Sequence, residues 1–327
     1  MNGRDIIEAV GNIDDELIEN AESTKAAAEP RKRRRTAIIA ACAAVCLIAG
    51  AAIAAVNLFV KDEPTEHVAA VVDENDPSHS PNALYVPAIE LPESTDGAEM
   101  DMIGLVVYKG GIYTQAEWYN DADAERLQQT LVGEKLGHAK GTIDEWSTQD
   151  DYATEFASTY DADIFAVNGY SDDFRLCMSY VWEDENGVSH ASVEFMERLN
   201  GIYLDTGADL FRDRLRLPGR AVSVEYQKHE DWDYGINELQ TVNIQSEIMD
   251  AFIDALCAGK FVNTWETMDD IYDREDISQK HLRLHMDDGT VVQLRLFSNG
   301  YVGYGPLGWY FVDMSGEAFD AMWSLCE

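Results

Sequence analysis

The sequence predicts an α+β fold on a membrane anchor. Three observations carry this: a 25-residue run without charge (36–60), hairpins marked by Gly and Asp turns, and amphipathic helices that do not alternate regularly with strands. Over 327 residues, 46% are hydrophobic and 26% charged, a globular composition. The net charge is −37, from 24 Lys/Arg against 61 Asp/Glu. Phosphate backbones need a basic face, so nucleic acid is excluded as a partner.

The first 30 residues carry Ile6, Ile7, Val10, Ile13, Leu17 and Ile18 at helical spacing. Gly11 divides the stretch into two short helices, and Asp14, Asp15 and Glu16 suit the N-terminal end of the second. So small a segment cannot bury its own stripe. Those six residues are therefore the expected partner-binding surface. Its acids disfavour docking on anionic lipid, which points to a cytosolic protein.

Arg31, Lys32, Arg33, Arg34 and Arg35 form a basic collar, and Thr36–Val60 follows without a charge. A bilayer core needs about 20 apolar residues, so this run is read as a single transmembrane helix. Lys61, Asp62 and Glu63 lie beyond it. The positive-inside rule then places the N-terminus in the cytoplasm and the rest outside the plasma membrane. Residues 61–101 hold five of the 8 prolines and read as an acidic stalk. From Lys61 onward the chain has 17 Lys/Arg against 53 Asp/Glu, so the acidity is external.

Residues 102–327 read as the extracellular domain, with a division into 102–219 and 220–327 as an option. Ile103–Tyr108 and Ile112–Thr114 flank a Lys109-Gly110-Gly111 turn. Asp123–Val132 reads as a helix, Ile164–Asn168 and Phe174–Trp182 as strands, and Val188–Met196 as a return strand. Ala208–Leu215 reads as a helix and Ala221–Gln227 as a strand. Ser246–Ala258 is a strongly amphipathic helix that Gly259 stops. His281–Met286 and Thr290–Phe297 flank the hairpin turn Asp287-Asp288-Gly289. Tyr301–Tyr304 and Trp309–Val312 are strands, and Glu317–Leu325 is a closing helix. Hairpins with interspersed helices imply antiparallel sheet.

The N-terminal pattern Asp5-Ile6-Ile7-Glu8-Ala9, then Ile13-Asp14-Asp15-Glu16-Leu17-Ile18-Glu19-Asn20-Ala21, a basic run and an Ala-rich span resembles uncharacterised single-pass proteins of clostridia-like gut bacteria. Their layout is similar to that of membrane-bound anti-sigma factors. The resemblance covers about the first 60 residues. It implies an extracytoplasmic sensor or regulatory domain, with a sigma factor as cytosolic partner. The zinc-binding signature of those factors, a His followed by Cys-x-x-Cys, is absent: no Cys precedes Cys42 and the first His is His67.

Catalytic motifs are lacking: no HExxH, GxSxG, SxxK or P-loop pattern occurs, and no cofactor fingerprint is read. The expectation is a protein without catalytic, cofactor or metal residues. His281 and His285 share a strand face about 13 Å apart, too far to share a metal. Asp231 and Asp233 are the best of several acidic pairs for calcium, but none fits a calcium loop. Tyr301, Tyr304, Trp309 and Tyr310 crowd around glycines and are the candidate ligand groove. A surface-anchored binding module is the first alternative, and an anchored hydrolase with paired carboxylates the second.

Overall fold

The computed structural model describes residues 80, 83–89, 103–144, 146–184, 187–264 and 278–326. The N-terminal stripe (Ile6, Ile7, Val10, Ile13, Leu17, Ile18), the collar and the 36–60 run lie outside the described residues. Among the described residues no helix is long and apolar enough to cross a membrane.

The described part is α+β with antiparallel sheets. Its first half runs β1 (Leu84–Val86), β2 (Leu105–Tyr108), β3 (Gly111–Asn120), α1 (Asp121–Thr130), β4 (Val132–Lys140), α2 (Gln149–Tyr152), β5 (Asp161–Val167), β6 (Arg175–Glu183), β7 (Ser189–Glu197) and β8 (Ile202–Leu204). The second half runs β9 (Ala221–Lys228), α3 (His229–Asp233), β10 (Gln240–Val242), α4 (Ser246–Ala258), β11 (Lys260–Asn263), β12 (Gln279–Met286), β13 (Val291–Phe297), β14 (Tyr301–Tyr304), β15 (Tyr310–Asp313) and α5 (Glu317–Leu325).

The first sheet has the order β2-β3-β7-β6-β5-β4 and the second β10-β9-β12-β13-β14-β15-β11. Both contain one plan. A strand is followed by a four-stranded meander whose last strand returns to pair with it: β3 with β7, and β11 with β15. The two sheets divide between Glu197 and Ala221.

Each sheet's core follows from strand alternation. In the first sheet, Cys177, Val193 and Phe195 meet Ala124 and Leu127 of α1. On the opposite face Leu176, Met178 and Met196 meet Phe156 and Tyr160. Tyr160 lies so close to Gly104 that a Cβ there would collide with its ring. In the second sheet, Leu282, Leu284, Leu294 and Leu296 pack with Phe252, Ile253 and Leu256 of α4 and Phe319 and Met322 of α5. Each such side chain contributes about 1.5–3 kcal/mol of burial.

Most expected elements are present, with some shifts. The first helix begins two residues earlier than expected and gives way to β4, which the pattern hid. The β4 sequence VGEKLGHAK has two glycines and no regular alternation, and its pairing with β5 shifts register twice. The helix expected over 208–215 is instead a π-helical turn at Ala208–Arg212. It starts at Gly207, where any side chain would strike the Leu256 carbonyl of α4. Part of the stretch read as stalk, Leu84–Val86, pairs with β8, and the Ile89 N–H donates to Asn200 Oδ1 at 3.4 Å.

A buried polar link joins the two sheets. Arg175 donates through Nε to Glu197 Oε1 at 2.9 Å, and its Nη2 bonds the same oxygen. Tyr304 of the second sheet donates to Glu197 Oε2 at 2.9 Å. All three residues are buried, with Glu197 fully so. Burial disfavours the charged guanidinium, but Glu197 and Tyr304 outweigh it and hold Arg175 protonated. Nearby, Tyr170 donates to Asp288 Oδ2 at 2.9 Å, and Arg220 binds the same oxygen at 2.6 Å.

Candidate functional site

Cross-strand register assembles an exposed aromatic surface on the first sheet. Trp118 (β3) pairs with Glu194 (β7), which pairs with Met178 (β6). Ser192 stands between Asn120 and Tyr180, and His190 opposite Trp182. Directly opposed residues share a face. Trp118, Asn120, Tyr180, Trp182, His190, Ser192 and Glu194 therefore form one patch on the face away from α1. None of the seven is Lys or Arg. Trp118, Tyr180 and Trp182 are 38%, 36% and 42% exposed, unusual for large rings.

Hydrogen bonds hold the rings. Trp118 Nε1 donates to Ser192 Oγ at 2.8 Å, and Ser192 Oγ donates to Asn120 Oδ1 at 2.6 Å. The Tyr180 and Trp182 rings are 6.0 Å apart, and Trp182 stacks on His190 at 5.3 Å. His190 Nδ1 lies 2.9 Å from Asp121 Oδ1, and its Nε2 3.9 Å from Asp184 Oδ2. Asp121 starts α1 with φ +51°, a left-handed backbone that an Asp tolerates better than most residues. The strands thus set the rings in a row, and the start of α1 supplies an anion at its edge.

Glu194 lies at the inner end of this row. It is 3% exposed, and its Oε1 is buried without a hydrogen-bond partner among the described residues. Burial pushes the carboxyl up to about 7, against a hydrogen bond with Tyr160 that favours the charged form. Tyr180 is raised as well, first by burial and then by the negative charge of Glu194. A buried group poised near neutrality beside exposed aromatics is the kind of feature that marks a binding surface.

Glu117 of β3 is also raised to about 7 by burial, with Arg283 and Gln293 opposing. It pairs with Phe195, one residue from Glu194, so the two carboxyls project from opposite faces of the sheet. They do not converge as an acid–base pair.

The second sheet carries a contrasting cluster. Trp232 of α3 stacks on His281 at 4.4 Å, and His229 Nδ1 lies 3.1 Å from His281 Nε2. Arg295 sits over Trp232 at 5.8 Å and donates to Gln279 Oε1 at 2.7 Å. His281 is pushed down to about 2 by burial, Arg295 and His229. His229 is lowered by burial and Arg295. This cluster favours neutral imidazoles.

The residues singled out from the sequence fall elsewhere. Tyr304 is 1% exposed and bonded to Glu197, so it belongs to the core and not to a groove. Tyr310 packs against the second-sheet core, and Tyr301 against Phe297 and Phe311. The Trp309 carbonyl accepts from the Thr264 N–H at 2.9 Å. These four side chains do not make one open surface. His281 and His285 do share a strand face, but His281 meets His229 whereas His285 bonds Glu225 at 2.8 Å. Asp231 and Asp233 lie in α3, and no group of three His, Cys, Asp or Glu is placed to hold a metal among the described residues. Cys177, Cys257 and Cys326 are free, buried thiols pushed up to between about 11 and 12 by burial.

The Trp118–Trp182 surface was legible only in part. Tyr180-Val181-Trp182 alternates within a predicted strand, which places both rings on one face. Adding Trp118 and Glu194 required the β3–β7 register and its bulge between Gln115 and Glu117. Comparison with protein-family models, curated proteins and solved structures gave no match.

Proposed function

We propose that the chain is a single-pass membrane protein whose extracytoplasmic α+β body receives a ligand and regulates a cytosolic partner. The basic collar at 31–35 and the uncharged run at 36–60 support the orientation. The exposed aromatic surface around Trp182 supplies a ligand surface. The stripe from Ile6 to Ile18, too short for a core of its own, supplies the partner surface, with a sigma factor as the partner the layout suggests. The observation that carries this reading is the charge asymmetry about the 36–60 run.

Two measurements test it. A C-terminal epitope on intact cells stripped of wall should be reached by protease, whereas an N-terminal epitope should be protected. The reverse pattern, or a body released to the cytosol, overturns the orientation. Ile13→Glu with Leu17→Glu should abolish recovery of a cytosolic partner with the full chain; unchanged recovery overturns the role of the stripe.

The uncovered aromatic surface also favours the reading of a surface-anchored binding module in which the inner segment has no partner. Replacing residues 1–30 by an unrelated soluble sequence separates the two. Signalling is lost under the regulatory reading, and function is retained under the module reading.

A further inference from the structure

We propose that the aromatic surface of the first sheet binds a small organic cation, its ammonium group seated over Tyr180 and Trp182 between Asp121, Asp184 and the buried Glu194. The assignment names the ligand class for the receptor surface described above and rests on that reading only for its consequence across the membrane.

Four observations converge on it. Two indoles and a phenol are exposed in one row, and their π-faces attract cations. The row contains no Lys or Arg, and acids stand at its edge: Asp121 and Asp184, both facing His190. Glu194, on the same face, is 3% exposed and has an oxygen without a hydrogen-bond partner among the described residues. No cation among the described residues is paired with it, so its charge acts through a medium of low polarisability on whatever sits above. Finally, the chain from Lys61 onward has 53 acids against 17 bases, a field that concentrates cations near the surface. The Trp232–His281 stack, by contrast, has Arg295 beside it. A neutral sugar would use the rings but would gain nothing from these charges.

Protonation enters with a definite sign. The titratable groups facing the row are Glu194, Tyr180 and Tyr160 from within the sheet face, and His190, Asp121 and Asp184 at its edge. Raising the pH deprotonates Glu194, and the carboxylate so formed favours a cation.

The test uses the full chain in polyoxyethylene micelles, with tetramethylammonium as probe. Binding is read by calorimetry and by saturation transfer to the probe's methyl protons. Saturable binding is expected, weakened about tenfold by Trp182→Leu, the loss of one strong cation–π contact. Glu194→Gln keeps the shape of the side chain and should weaken binding severalfold at pH 8 but little at pH 5.5. Wild-type affinity should rise between those two pH values. Saturable binding of cellotetraose without binding of tetramethylammonium would overturn the proposal in favour of a glycan surface. Tighter binding to phosphatidylcholine vesicles than to the free cation would overturn it in favour of a lipid headgroup. Binding of no probe, or binding indifferent to both variants, would overturn it outright. None of these readouts depends on topology or on a cytosolic partner, so failure here leaves the receptor reading standing and the converse also holds.

Discussion

Among the described residues each sheet carries a Trp stacked on a strand His, and the surroundings of Trp182–His190 and Trp232–His281 differ. Trp182 on His190 lies at the open end of the first sheet, with Asp121 and Asp184 beside the imidazole. Trp232 on His281 is half-buried, with Arg295 and a second imidazole, His229, beside it. The same pair of side chains is thus set in an anionic frame in one place and a cationic frame in the other. The difference arises from what covers each sheet. On the first, α1 and the segment around Phe156 and Tyr160 leave the last cross-strand rows bare. On the second, α3 follows β9 directly and lays its Trp over the strand face. A stack that is covered adds to stability; one that is bare is available to a ligand.

The largest effect should come from cutting the link that both sheets share. Arg175→Met leaves the Glu197 carboxylate buried without its cation, at a cost of about 3–5 kcal/mol. Urea unfolding followed by tryptophan fluorescence should show the unfolding free energy fall by that amount, with the midpoint lowered and both halves destabilised together. If only one half were affected, the comparison of two sheets in one cooperative unit would break.

Truncating the two stacked indoles should give unequal losses. Trp232→Ala removes a half-buried ring from His281 and Arg295 and should cost about 2 kcal/mol, below the value for a full core aromatic. Trp182→Ala, at an exposed position, should cost less than about 1 kcal/mol. Equal losses in the same unfolding assay would remove the distinction between a covered and a bare stack.

The smallest effects are in the pH dependence, where the two clusters have opposite signs. His281 falls from an ordinary value of 6.5 to about 2, so the unfolded chain binds the extra proton between those values. Its contribution is present above pH 6.5 and is lost as the pH falls towards 2. Glu194 rises from an ordinary value of 4.5 to about 7, so the folded chain holds the extra proton between them. Its contribution is present below pH 4.5 and is lost as the pH rises towards 7. Each slope is at most about 1.4 kcal/mol per pH unit, and the two oppose each other between pH 4.5 and 6.5. Stability profiles should therefore tilt in opposite directions: Glu194→Gln flattens the decline towards pH 7, and His281→Gln flattens the decline towards acid. Identical profiles for wild type and both variants would sink this account.

Element type was legible where periodicity was strong. Ser246–Ala258 and Glu317–Leu325 are helices over the expected residues because Phe252, Ile253 and Leu256, and Phe319 and Met322, recur at helical spacing. The Asp287-Asp288-Gly289 turn was equally clear: Gly289 takes φ +89°, which a glycine adopts without strain. Weakly patterned elements were missed. β4 hides its strand behind glycines and charges, and β1 and β8 are three-residue strands whose only signal is each other. The candidate groove at Tyr301, Tyr304, Trp309 and Tyr310 shows the same limit. Glycine-flanked aromatics fit a core turn as well as a groove, and the pattern cannot tell which; Tyr304 is buried because Glu197 of the other sheet receives its hydroxyl.

By itself the sequence determined properties carried by local spacing and by summed charge: antiparallel strands, amphipathic helices, hairpin turns and an acidic surface. Those depend on residues near in the chain or on composition alone. Only the tertiary structure decided which aromatics are bare and which carboxyls are sequestered. Trp118 reaches Glu194 through a bulged register across 76 residues, and Arg175 reaches Tyr304 only through Glu197. Burial and long-range pairing are properties of packed layers, and the chemistry of a surface follows from them.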